Sequence, residues 1–277
     1  MTIHNIEAGG ASIPSLGFGT WAARGAECAQ AVAFALESGY RHIDTAAVYA
    51  NEEAVGEGMR ASRIDRAEIF LTTKVGHGDI DDGMLQRSAE ASLKRLGVDA
   101  VDLLLIHWPN PAIPLKRSIG ALCKAKRQGL TKHIGVSNFT LALLAEAVAL
   151  ADEPIVANQC EYHPRLDQSR LIAACRKSDM AFTSYCPLGR GGEILAEPKI
   201  ATIAKRHGKT PAQVLLRWHV QQKGVVAIPK SANRQRIAEN MAIFDFSLAE
   251  DEMQSLFSLA VANGRLVSPG WAPVWDK

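Results

Sequence analysis

Short, nearly continuous apolar runs alternate with helical patterns along almost the whole chain, and this alternation constrains the fold more than any other feature. Eight β-rich runs stand out: Leu16–Thr20, Tyr40–Asp44, Glu68–Lys74, Val101–His107, Thr131–Ser137, Ile155–Cys160, Ala181–Cys186 and Gly224–Lys230. They are apolar throughout rather than at every second position, which suits strands covered on both faces of a parallel sheet. Between them lie segments with a period near 3.6, such as "GAECAQAVAFALESG" closing on Gly39 and "DDGMLQRSAEASLKRLGV" closing on Gly97. A left-handed glycine is a common helix stop. "PLKRSIGALCKAKRQG", "TLALLAEAVAL", "DQSRLIAACRKS", "TPAQVLLRWHVQQKG" and "NRQRIAENM" behave likewise. Thr210 suits an N-cap and Pro211 the first helical position.

Eight βα units in about 250 residues predict an α/β fold of the (β/α)8 TIM-barrel type. The alternative is a doubly wound sheet, which carries G-x-G-x-x-G after an early strand. The first run here continues "GFGTWAARG" and lacks that fingerprint. There is no low-complexity linker, so one domain is expected over residues 1–277. "IHNIEAGGASIPSLG" reads as an N-terminal β-hairpin plugging the barrel floor, and "GRLVSPGWAPVWDK" as an irregular C-terminal tail.

The formal net charge of +2 gives no basic face for nucleic acid. No apolar run approaches the ~20 residues of a membrane span. Five scattered cysteines without a C-x-x-C pair read as reduced thiols in a cytoplasmic protein. The N-terminus has neither the basic nor the apolar region of a signal peptide.

In a barrel, chemistry collects where strands end at the C-terminal face. Here the runs end in Asp44, Lys74, His107, Ser137-Asn138 and Lys230-Ser231, while Gln159 and Tyr185 sit near the ends of the sixth and seventh. Singly, each has a bland reading as a turn, cap or solvated residue. Unpaired and desolvated, such groups cost a few kcal/mol each. Gathered around one mouth, they make a site.

"GYRHIDTAAVYANEEAVG", "LTTKV", "VDLLLIHWP", "IGVSNF", "NQCEYHP" and "AIPKSANRQRIAEN" occur in that order, and with them the chain resembles the aldo-keto reductases over essentially its whole length. The tail "NGRLVSPGWAPVWD" resembles, more narrowly, the bacterial 2,5-diketo-D-gluconate reductases of the B type. The resemblance implies NADPH-dependent reduction of aldehydes and ketones by a cytoplasmic monomer. It also implies a catalytic tetrad of Asp44, Tyr49, Lys74 and His107. Its substrates would be small carbonyl compounds, including keto-sugar acids such as 2,5-diketo-D-gluconate and 2-oxoaldehydes such as methylglyoxal.

The chemistry explains these residue types. Carbonyl reduction needs hydride on carbon and a proton on oxygen, and the best general acid has a pKa near ambient pH. Free tyrosine titrates near pH ~10. A lysine about 4 Å away at an effective dielectric of about 20 stabilises the phenolate by roughly 4 kcal/mol. Lys74 is therefore expected to lower the pKa of Tyr49, with Asp44 holding the lysine charged and His107 orienting the substrate oxygen.

By the same resemblance, Ser137, Asn138 and Gln159 hold the carboxamide of NADPH/NADP+, and Tyr185 stacks on the nicotinamide. Leu188 and Gly189 lie in the glycine-rich loop "CPLGRGG", where backbone can approach a pyrophosphate. Lys230, Ser231 and Arg236 match 2′-phosphate ligands, and Glu239 and Asn240 match adenine contacts. Two cations and a hydroxyl near a helix start suit a dianion, whereas an NAD enzyme more often places a carboxylate there. Trp21, Tyr49, His107, Trp108 and Trp271 are expected to line the substrate pocket. Arg265 is a candidate for a substrate carboxylate, with a structural role in the tail as the alternative.

One departure concerns "KVGHGD". Many relatives carry an aromatic residue two positions after the lysine, where this chain has Gly76 and then His77, so the wall there is expected to be wider or more polar. Two other functions remain open at this point. One is a non-catalytic NADP-binding regulatory subunit of the channel β-subunit type. The other is a metal-dependent hydrolase using Asp44, His107 and His163, although no H-E-x-x-H pair or other metal constellation is visible.

Overall fold

The computed structural model describes residues 3–276. Residues 1, 2 and 277, the ends of the expected domain, lie outside the described residues. The chain opens with an antiparallel hairpin, β1 (Asn5–Ala8) and β2 (Ala11–Pro14). Eight parallel strands follow, as the apolar runs predict: β3 (Phe18–Gly19), β4 (His42–Asp44), β5 (Phe70–Val75), β6 (Val101–Ile106), β7 (Thr131–Ser137), β8 (Ile155–Glu161), β9 (Ala181–Tyr185) and β10 (Val225–Ala227). They pair in sequence order from β3 to β10. The sheet closes on itself through backbone bonds from Gly17 N to Ala227 O (2.8 Å), Ala227 N to Ser15 O (2.9 Å) and Gly19 N to Pro229 O (2.9 Å). The first and last strands are shorter than their apolar runs. Beyond Ala227 the chain reaches Pro229, which has no N–H to continue a ladder.

Among the described residues, ten α-helices accompany the strands: α1 (Gly25–Glu37), α2 (Glu52–Ala61), α3 (Met84–Leu96), α4 (Leu115–Arg127), α5 (Leu141–Leu150), α6 (Ser169–Lys177), α7 (Pro198–His207), α8 (Pro211–Val220), α9 (Arg234–Met241) and α10 (Glu250–Phe257). Thr210 and Gln213 cap α8 reciprocally, with Pro211 at its first turn. Helices α2, α7 and α10 are additions to the sequence reading. Among the described residues, no helix is long and apolar enough to cross a membrane.

Period-two alternation sorts the core into two layers. Leu104 and Ile106 of β6 pack outward with the helices. Leu103 and Leu105 point into the barrel, where they meet Ala157, Ala181 and Val226. The hairpin residues Ala8, Ala11 and Ile13 belong to this inner cluster, so the hairpin does close the floor. Inward parity in β4 and β5 falls on Asp44 and Lys74. Because Asp44 registers with Thr72, Lys74 lies two residues further up the neighbouring strand.

Candidate active site

Lys74 is fully buried and Asp44 nearly so. The Lys74 ammonium donates to Asp44 Oδ1 at 2.5 Å and to the Thr45 carbonyl at 2.8 Å. The other carboxylate oxygen of Asp44 accepts from Gln159 Nε2 at 2.7 Å. A buried charge pair needs its remaining donors and acceptors engaged, and here the Thr45 carbonyl and Gln159 amide take up one on each side.

Tyr49 comes from the loop after β4. It ends a short 3-10 turn, Ala47–Tyr49, which Ala50 terminates in the left-handed region at φ 52°. That conformation costs a non-glycine residue roughly 1 kcal/mol, so something must hold it. Asn51 does so, donating to the carbonyls of Thr20 (2.8 Å) and Ala23 (3.1 Å) and accepting from the Thr45 hydroxyl (2.9 Å). Arg24 also donates to the Tyr49 carbonyl. The phenol ring then lies 5.2 Å from the Lys74 ammonium and 5.6 Å, edge-on, from the His107 ring. At the lip of β6, His107 is held by its own N–H to Val75 O (3.0 Å) and by Asn138 Nδ2 on its carbonyl (2.9 Å).

The protonation states differ from the sequence expectation at one point. Burial pushes the Tyr49 phenol well above its usual value, and the Asp44 carboxylate adds to this. The expected lowering by Lys74 is not found: burial and the Asp44 charge both disfavour the phenolate. Burial also lowers the pKa of Lys74, opposed by Asp44. His107 is pushed down to about 3 by burial, then by the Lys74 and His77 charges, so its imidazole is neutral at physiological pH.

The residues assigned to the carboxamide form one network. Ser137 Oγ donates to the Gln159 carbonyl (2.7 Å), Asn138 Nδ2 to Ser137 Oγ (3.1 Å), and Tyr185 Oη to Asn138 Oδ1 (2.8 Å). Through Gln159 this network reaches Asp44. Asn138 is itself left-handed, with φ 63°, a conformation Asn tolerates better than most residues.

A cavity of about 1110 Å³ opens at this end of the barrel, lined by Asp44, Tyr49, His107, Asn138, Gln159 and Tyr185. Its apolar walls include Trp21, Trp108, Trp271 and Leu188, and its far end is lined by Lys230, Ser231, Arg236, Glu239 and Asn240. The volume exceeds the ~300–1,000 Å³ of ordinary small-molecule sites. Three expected site residues do not line it: Lys74 and Ser137 are buried behind its wall, and Gly189 packs on Ile194.

Val48, His77, Cys186, Arg190 and Val267 also line the cavity and were not selected as site residues from sequence. Arg190 lies 5.7 Å over the Trp21 ring; the glycines of "CPLGRGG" drew notice there and the arginine between them did not. The expectation for Arg265 resolves to its structural alternative. It is not part of the cavity lining, and its guanidinium lies 3.7 Å over the Trp275 ring. The tail is anchored beside it by Glu161, which accepts from Leu266 N (2.6 Å) and Val267 N (2.7 Å). His163 pairs with the same Glu161 at 3.0 Å. Among the described residues, no three His, Cys, Asp or Glu side chains are grouped to hold a metal ion.

The profile of the Aldo/keto reductase family matches residues 15–260. The chain belongs to the aldo/keto reductase family. It is accordingly an oxidoreductase. An aldo-keto reductase of Mycobacterium sp. (strain MCS) is 47% identical over 251 residues, covering 90% of this chain and 88% of the relative. A solved structure assigned as a 2,5-diketo-D-gluconic acid reductase B is 45% identical, with a TM-score of 0.97 over 100% of this chain and 98% of its own. The aldo-keto reductase of Bombyx mori, solved in complex with NADP, is 33% identical, with a TM-score of 0.90 over 98% and 96% of the two chains.

Proposed function

We propose that this aldo/keto reductase, as a single cytoplasmic barrel domain, reduces small polar aldehydes and ketones with NADPH, and that Tyr49 is the proton donor. Keto-sugar acids such as 2,5-diketo-D-gluconate and 2-oxoaldehydes such as methylglyoxal are the substrate classes. The observation that carries the mechanism is the position of the Tyr49 ring. It lies between the buried Lys74–Asp44 pair and the neutral His107, on the wall of a cavity.

The cavity's own residues fit the cofactor. Lys230 and Arg236 are exposed at its far end and enter no ion pair among the described residues. They flank the start of α9, whose backbone adds a favourable field for an anion. Two free cations beside Ser231 suit the 2′-phosphate that separates NADP from NAD. Tyr185 offers an aromatic face, and Asn138 and Gln159 offer amide groups, to a flat polar ring. Bound NADPH supplies the hydride.

The chain's residues supply the rest. The neutral His107 imidazole hydrogen-bonds the substrate oxygen and turns it toward Tyr49. The phenol, protonated at neutral pH like any tyrosine, gives that oxygen its proton. As the phenolate forms, the Lys74 ammonium is the nearest cation, and Asp44 keeps the lysine protonated and in place. Trp21, Trp108 and Trp271 give the cavity apolar walls, which favour burial of the substrate carbonyl beside these groups. Following NADPH absorbance with methylglyoxal, benzaldehyde and 2,5-diketo-D-gluconate tests the substrate assignment. Turnover of benzaldehyde alone would overturn the polar-substrate class.

A further inference from the structure

His77 follows Gly76 in the loop after β5, and its surroundings give it a purpose. Gly76 leaves no side chain two positions after Lys74, and Val48 fills the space: a Cβ on Gly76 would lie 3.0 Å from Val48 Cγ1. The ring is carried by the next residue instead. His77 stacks face to face on Trp271 with centroids 4.3 Å apart and planes at 11°. Trp271 in turn meets Trp108 edge-on at 5.1 Å. Asn110 Nδ2 fixes the backbone by donating to His77 O at 3.0 Å. The imidazole is thus a placed, half-buried part of the cavity wall.

A phenylalanine would make the same stack. What histidine adds is polarity at the ring edge, and neither ring nitrogen has a hydrogen-bond partner among the described residues. Neither nitrogen is among the buried polar atoms sealed from solvent, so the ring edge is open to a ligand in the cavity. Val48, Trp108 and Trp271 also line the cavity, and none of them carries a side-chain hydrogen-bond acceptor. His77 and His107 line the same cavity, so one substrate can meet both rings.

We infer that His77 is a substrate-binding residue whose imidazole hydrogen-bonds an oxygen-bearing substituent, carboxylate or hydroxyl, remote from the reacting carbonyl. This rests on the proposed reading that polar carbonyl compounds are the substrates, and it assigns the group that selects them. His107 takes the oxygen to be reduced and His77 takes the second oxygen, while Trp271 holds the His77 ring at its angle.

The test compares 4-carboxybenzaldehyde, 4-(hydroxymethyl)benzaldehyde and 4-methylbenzaldehyde as NADPH-dependent substrates of the wild type, His77→Phe and His77→Gln. His77→Phe keeps the stack and removes the hydrogen bond. It is expected to lower the ratio of kcat/KM for each polar aldehyde over the methyl one about tenfold, mostly through KM, because a hydrogen bond to substrate is worth about 1.4 kcal/mol. His77→Gln should recover part of the ratio. A loss confined to the carboxylate assigns the contact to charge, and a loss for both polar aldehydes assigns it to hydrogen bonding. An unchanged ratio in His77→Phe overturns the inference. Quenching of tryptophan fluorescence by the same compounds in the NADP+ complex reads the contact without turnover. If the wild type reduces neither these three aldehydes nor methylglyoxal, the reductase reading fails. Equal affinity of wild type and His77→Phe for the carboxylate overturns the inference separately.

Discussion

Replacing Asp44 by Asn keeps the shape of the side chain but removes the charge facing Lys74. Two donors converge on the carboxylate, Lys74 Nζ at 2.5 Å and Gln159 Nε2 at 2.7 Å. An amide has one acceptor oxygen, so one donor is left facing an N–H₂ group. Breaking a buried charge pair from one side costs about 3–5 kcal/mol, a large share of a total stability of about 5–15 kcal/mol. Asp44 is the main influence raising the pKa of Lys74 against burial, so in the variant the lysine sheds its proton more readily when folded. The unfolded chain keeps that proton up to about pH 10.4. The unfolded state therefore binds more protons, and the variant's stability rises with pH through that window. Its deficit relative to wild type is thus expected to be smaller at pH 9 than at pH 6. Urea unfolding followed by the fluorescence of the five tryptophans measures both. The double variant Asp44→Asn/Lys74→Met should regain most of the lost stability, since an apolar replacement of a buried pair is often neutral, while remaining inactive. A cost below about 1 kcal/mol, typical of an exposed pair, would refute the reasoning, as would a double variant no more stable than the single one.

Two other predictions concern the cofactor and the proton. Lys230→Ala combined with Arg236→Ala should raise the Kd for NADPH at least about 100-fold and that for NADH only a few-fold, each charged hydrogen bond being worth about 1.5–3 kcal/mol; titration by fluorescence quenching decides, and equal losses would contradict the 2′-phosphate assignment. The donor must be protonated to act and its pKa is raised, so kcat for reduction should show no fall until pH exceeds about 10; a decline centred near pH 7 would assign the donor to another group.

The eight strands were legible because burial on both faces leaves uninterrupted apolar runs. Helix α2 was not, because its sequence carries Gly56 and Gly58, which local propensity penalises. Tertiary packing requires them: a Cβ would lie 2.3 Å from Leu96 O at Gly56 and 2.5 Å from Ala29 O at Gly58. In the site, Asp44 and Lys74 could be paired from their places at neighbouring strand ends. The direction of the Tyr49 pKa could not, because it depends on burial and on the Asp44 charge facing the folded ring. His77 was visible as a departure, but its stack on Trp271 joins the β5 loop to a tail whose path no local pattern encodes.

The proton donor is tested most directly by Tyr49→Phe, mixed with NADPH and methylglyoxal in a single turnover. The account predicts that NADPH binds with its wild-type Kd and that its oxidation slows by about 10²–10⁴-fold, the usual contribution of a positioned general acid. Oxidation at more than a tenth of the wild-type rate would contradict it.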